Sequence, residues 1–159
     1  MFGNLQAGLR MLNWILQKNC RFVFHLTLNK MITTPLKIFI VDDDNMMLEM
    51  LRDRIGEHTP HTVLTFGTGE DCLKHVAENP DVIILDYYLN SKNPDASNGM
   101  EILKAIKKYN PNIHVIFLSG QERYGVAMQT LQKGAEYYVI KDNEAFGKIE
   151  KILSGITVS

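Results

Sequence analysis

Asp81-Val82-Ile83-Ile84-Leu85-Asp86 places four consecutive apolar residues, two of them β-branched isoleucines and one a valine, between two carboxylates. A run this short and this apolar, preceded by Asn79-Pro80, reads as a strand covered on both faces, which is the pattern of a parallel sheet. Working outward, similar strands are expected at Leu36 to Val41, Thr62 to Phe66, Ile113 to Leu118 and Glu136 to Ile140. Between them lie segments with helical spacing of apolar residues. Asn45 to Glu57 sets Met47, Leu48, Leu51 and Ile55 on one face, and Glu70 to Glu78 does the same with Leu73 and Val76. Gly99 to Tyr109, Glu122 to Lys133 and Asn143 to Leu153 complete five helices, with Pro80, Pro111 and Gly134 breaking the chain before the following strand. Strict β/α alternation predicts a doubly wound α/β fold, a single five-stranded parallel sheet with helices on both faces.

Length and charge agree with one domain. The chain has 159 residues, of which 45% are hydrophobic and 22% charged, an ordinary composition for a globular protein. Its formal net charge of −1 hides an asymmetry, because residues 1–30 carry Arg10, Lys18, Arg21 and Lys30 and no acidic residue. The rest therefore carries an excess of acid, which argues against nucleic acid as a partner. Cys20 and Cys72 stand far apart without metal-ligand spacing, so neither a disulfide framework nor a zinc site is expected, and a reducing cytoplasmic location fits. No apolar run approaches the roughly 20 residues that span a bilayer. Three segments are expected: an extension at 1–34, a domain at 35–154 and a tail at 155–159. Leu5, Leu9, Leu12 and Leu16 fit either a basic amphipathic helix at a membrane surface or a bland extension, and Met31 also allows a later start of translation.

In doubly wound sheets ligands bind outside the carboxyl ends of the strands. The residues there are Asp42, Asp43 and Asp44 after the first strand, Asp86 after the third, Ser119 after the fourth and Lys141 after the fifth. Asp44 is expected to cap the first helix. Each of the others has a structural role open to it, but together they form a chemically coherent rim. Clustered carboxylates need a compensating cation. An all-oxygen site of two or three carboxylates suits Mg²⁺. A carboxylate beside Mg²⁺ can attack a phosphoryl group, with Lys141 and Ser119 holding oxygens that the metal does not reach. Asp86 is the expected nucleophile, because it stands alone at the end of the most apolar strand, and Asp42 and Asp43 are the expected metal pair.

Ile40-Val41-Asp42-Asp43-Asp44, Val82-Ile83-Ile84-Leu85-Asp86, Phe117-Leu118-Ser119-Gly120 and Tyr138-Val139-Ile140-Lys141 make the chain resemble the receiver domain of two-component response regulators, from residue 36 to about 153. The resemblance implies a flavodoxin-like strand order of 2-1-3-4-5. It implies that Asp86 takes phosphate from a phosphohistidine on a sensor kinase or histidine phosphotransfer protein. It implies direct Mg²⁺ binding by Asp43, Asp86 and the carbonyl of Tyr88, with Asp42 acting through water. Ser119 then matches the switch hydroxyl, Lys141 the lysine that pairs with the phosphoryl group, and Tyr138 the aromatic whose position reports the switch. Tyr138 also reads as a half-buried strand tyrosine, as does Tyr137.

Two departures from the family pattern stand out. Tyr87 to Asn98 is a long polar connection where the family has a short loop, and Asp142 follows the lysine where many members have proline. His58 and His61 are expected in a surface turn around Pro60, and Gln121 lies where it can meet an attacking water. With only Ser154 to Ser159 beyond the fifth helix, the expectation is a stand-alone receiver that signals to a downstream output protein or relays its phosphate onward. Two competitors remain: a Mg²⁺-dependent phosphatase using Asp42 and Asp44 as a D-x-D pair, and an interaction domain that ignores phosphate.

Overall fold

The computed structural model describes residues 34–89, 97–120 and 124–156. The amino-terminal extension, the centre of the long polar connection and Gln121 lie outside these residues. Strands β1 (Lys37–Val41), β2 (Thr62–Phe66), β3 (Val82–Asp86), β4 (His114–Ser119) and β5 (Tyr137–Ile140) alternate with helices. These are α1 (Asn45–His58), α2 (Gly69–His75), α3 (Gly99–Tyr109), α4 (Tyr124–Gln132) and α5 (Ala145–Gly155). All strand pairs are parallel, in the order β2-β1-β3-β4-β5. That order is the one the family resemblance implies.

Side-chain alternation within each strand divides the interior in two. Ile38 and Ile40 of β1, Val82 and Ile84 of β3, and Ile116 and Leu118 of β4 face one side, where Leu48, Leu51 and Ile55 of α1 and Ile149 and Leu153 of α5 cover them. Phe39, Val41, Ile83, Leu85, Val115 and Phe117 face the other, against Cys72 of α2 and Ile102, Leu103 and Ile106 of α3. The central strands are apolar throughout because both of their faces are covered, whereas edge strand β2 alternates between exposed and half-buried residues. Burial lifts the Cys72 thiol to about 12, so this cysteine is an inert core residue.

The helix starts follow local chemistry. Asp44 caps α1, its Oδ1 accepting the Met46 N–H at 3.0 Å. Asn98 and Glu101 form a reciprocal capping box on α3. The expected helix 70–78 is shorter than its periodicity suggests, because Val76–Glu78 tightens to a 3₁₀ turn and Asn79, at φ 54°, ends it in the left-handed region. Met47 packs on the core while Met46 and Met50 are exposed.

His61 does more than occupy a turn. It is half-buried, and its Nδ1 accepts the N–H of Leu36 at 3.1 Å, tying the start of β2 to the residue before β1. Acceptance requires neutral imidazole, and burial pulls its pKa below the ordinary histidine value. The folded state therefore binds this proton less readily than the unfolded chain. Stability from His61 is full above the ordinary histidine pKa and is lost as the pH falls below it. Urea midpoints measured from pH 8 to pH 5 are expected to fall further in wild type than in His61→Gln, which does not titrate.

Candidate functional site

The chain enters β2 on one side of β1 and returns to β3 on the other, so the crevice opens where β1 and β3 end. Val41 pairs with Leu85, which brings the following residues, Asp42 and Asp86, side by side. Asp86 pairs with Leu118 and Ser119 with Ile140, and the backbone N–H of Lys141 reaches the carbonyl of Ser119 at 2.8 Å. Register alone thus collects Asp42, Asp43, Asp86, Ser119 and Lys141 on one rim. Asp42, Asp86 and Ser119 are buried, at 1%, 3% and 1% exposure. Asp42, Asp43 and Asp86 each offer a carboxylate oxygen within 4.8 Å of the others.

Lys141 spans the crevice. Its Nζ donates to Asp42 Oδ2 at 2.7 Å and stands 2.9 Å from Asp86 Oδ1. The remaining oxygen of Asp42 accepts the Asp44 N–H at 2.9 Å, and Oδ2 of Asp86 accepts the Tyr88 N–H at 3.1 Å. Asp86 Oδ1 is buried and accepts no well-directed hydrogen bond, despite the ammonium beside it. Burial raises the Asp86 carboxyl above its ordinary range; the charge of Lys141 opposes this and that of Asp42 adds to it. Burial also works against the Lys141 ammonium, but hydrogen bonding to Asp42 and the charge of Asp86 outweigh it and leave its pKa raised. Three carboxylates to one ammonium, with an oxygen of Asp86 short of donors, is the chemistry of a site that accepts a hard divalent cation.

Asp142 accounts for one departure from the family pattern. Its Oδ1 accepts the Glu144 N–H at 2.9 Å and its Oδ2 binds Lys148 Nζ at 2.8 Å, so it shapes the turn into α5 while Lys141 still points into the crevice. Tyr138 is half-buried and Tyr137 is exposed. The long connection after Asp86 is pinned at both ends. The Tyr87 N–H binds the Leu118 carbonyl at 2.9 Å, the Gly99 N–H binds the Tyr87 carbonyl at 3.0 Å, and the Ser97 N–H binds Glu70 Oε1 at 2.8 Å. From sequence, Gly99 stands out only as the glycine that ends the long connection after Asp86, and Glu70 does not stand out at all. Glu70 leaves no signal there, because its partner is 27 positions away. Gly99 leaves one: a glycine opening a helix next to the site. A Cβ at this position would lie 2.1 Å from the Asp86 carbonyl oxygen.

A family profile for the response regulator receiver domain matches residues 38–153. The chain belongs to the receiver domain family. Among curated relatives, it is 33% identical over 107 residues to a probable C4-dicarboxylate response regulator, DctR, of Bacillus subtilis, covering 66% of this chain and 45% of that protein. It is 26% identical over 118 residues to the chemotaxis protein CheY of Listeria monocytogenes, covering 74% of this chain and 95% of CheY. The chain thus spans less than half of the length of DctR. Two solved receivers superpose well. The response regulator domain of Thermotoga maritima CheB gives a TM-score of 0.65 at 26% identity, covering 79% of this chain and all of that one. A BeF3-activated DrrB receiver domain gives 0.62 at 29%, covering 76% and 98%. Among the described residues no helix is long and apolar enough to cross a membrane.

Two variants test this geometry. Gly99→Ala forces α3 away from the Asp86 carbonyl and is expected to cost about 1–3 kcal/mol in denaturant unfolding, as overpacking does. Asp86→Asn removes a carboxylate whose ionisation the fold opposes. A raised folded-state pKa means wild type loses stability as the pH rises from the ordinary aspartate range through that pKa. In metal-free buffer Asp86→Asn is therefore expected to unfold at higher denaturant than wild type at pH 7, with the advantage shrinking as the pH falls toward 4.

Proposed function

We propose that this receiver takes a phosphoryl group from phosphohistidine, on a sensor histidine kinase or a histidine phosphotransfer protein, onto Asp86. The observation that carries the reading is Asp86 Oδ1: buried, short of hydrogen bonds, beside the Lys141 ammonium and within a cluster of three carboxylates. An oxygen so placed attacks phosphorus as the P–N bond breaks, and the imidazole nitrogen keeps the electron pair and takes a proton. Asp43, Asp86 and the Tyr88 carbonyl would hold Mg²⁺, with Asp42 joining through water. When bound, the ion neutralises charge developing on the phosphoryl oxygens.

The residues of the chain supply the rest. Lys141, which bridges Asp42 and Asp86, turns toward a phosphoryl oxygen once Asp86 is phosphorylated. Ser119, at the end of β4, donates its hydroxyl to another. Tyr138 follows that movement and alters the surface offered to a downstream output protein, in the cytoplasm, or the phosphoryl group passes onward in a relay. Asp44 speaks against the phosphatase alternative. That mechanism uses the second Asp of D-x-D as acid/base, whereas Asp44 Oδ1 is engaged in capping α1.

Incubation with Mg²⁺ and a small phosphodonor, followed by intact mass measurement, is expected to add one base-labile phosphoryl group to wild type and none to Asp86→Asn. Chelation of Mg²⁺ should abolish the adduct. An equal adduct on Asp86→Asn, or catalytic turnover of phosphate esters that survives that substitution, would sink the reading. Mg²⁺ is also expected to raise the unfolding free energy of wild type, by about 2.7 kcal/mol at one hundred times its dissociation constant. Asp43→Asn should lose most of that gain.

A further inference from the structure

Directly beneath the rim runs a row of aromatic rings, of which the chemistry above uses only that of Tyr138. Tyr88 and Tyr87 meet edge to face, with centroids 4.7 Å apart and planes at 77°. Tyr87 in turn meets Phe117 edge-on at 5.9 Å and 66°. Phe117 lies parallel to Tyr138 at 6.5 Å and 8°. Tyr87, Phe117 and Tyr138 therefore cross from β3 through β4 to β5 on one face of the sheet. Each sits within three residues of a rim group along the chain: Tyr87 follows Asp86, Phe117 precedes Ser119 by two positions and Tyr138 precedes Lys141 by three.

The middle ring has nowhere to go. Phe117 is fully buried and packs with Phe39, Val41, Leu85 and Leu103. The Tyr87 backbone is held on both sides, by Leu118 and by Gly99. Close-packed interiors move between discrete arrangements and do not deform smoothly. A displacement of Tyr138 against Phe117 is then felt at Tyr87, and a shift of Tyr87 is felt at Tyr138. We propose that Tyr87 is a positioning residue that couples the phosphorylation state of Asp86 to Tyr138 through the ring of Phe117. This rests on the phosphoacceptor role of Asp86. Tyr87 itself touches no reacting atom; its ring sets how much room Phe117 leaves for Tyr138.

Single aromatic pairs shift an equilibrium constant by roughly two- to tenfold, which sets the scale of the effect. The first measurement is a double-mutant cycle on the full chain in metal-free buffer, with Tyr87→Leu, Tyr138→Leu and both together. The unfolding constant of the double variant is expected to depart from the product of the single effects by at least about twofold. Additive effects would overturn the proposal, since the ring contacts run from Tyr87 to Phe117 and from Phe117 to Tyr138. The second is NMR of ring-labelled tyrosine with Mg²⁺ and beryllofluoride, a phosphoryl mimic. The displacement of the Tyr138 signal seen in wild type should persist in Tyr87→Phe and drop below half in Tyr87→Leu at saturating mimic. A full displacement in Tyr87→Leu, or an equal loss in Tyr87→Phe, would overturn it. If wild type binds no mimic, the phosphoacceptor reading fails and the unfolding cycle alone decides for Tyr87. Should Tyr87→Leu fail to fold, Tyr87→Met replaces it in both measurements.

Discussion

Two buried carboxylates, Asp42 and Asp86, share the ammonium of Lys141, and the rest of the molecule is arranged so that they meet. Taking such charges out of water costs several kcal/mol per ion. Attraction at these separations returns on the order of 5 kcal/mol per pair at an effective dielectric near 20. The two are close in size, so the arrangement is poised and not locked. It holds only because β1, β3 and the end of β5 are kept in register by a core that is apolar on both faces of the sheet.

That balance is not shared equally between the two carboxylates. Asp42 has both oxygens engaged, one by Lys141 and one by the Asp44 N–H, whereas Asp86 keeps an oxygen without a well-directed donor. At Asp86 Oδ1 the only neighbouring donor group described is the Lys141 ammonium, 2.9 Å away. Around it the backbone is tied down: Gly99 lets α3 approach the Asp86 carbonyl, and Glu70 takes the Ser97 N–H at the far end of the long connection. Rigid supports of this kind hold the Asp86 carboxylate in place.

Much of this was legible residue by residue. Val82 to Leu85 announced a strand buried on both faces because nothing else accommodates four apolar residues between turn signals in a β/α repeat. Asp44 announced its cap because capping depends on neighbours two positions away. The helix boundaries were less legible: α2 yields to a 3₁₀ turn because Asn79 adopts a left-handed conformation that periodicity does not encode. His61 looked like a turn residue, since its partner, the Leu36 N–H, is 25 positions away.

Local chemistry in the sequence therefore determined the alternation of strands and helices, the candidate residues at the strand ends and the charge imbalance that calls for a cation. These depend on spacing and residue type, which the chain carries in any conformation. Only the tertiary structure decided which carboxylate is saturated and which is not, that Lys141 bridges Asp42 and Asp86, and that Tyr87, Phe117 and Tyr138 form a row of rings. Those facts depend on register between strands far apart in the chain. Register is set by how the whole core packs, so no local stretch contains it.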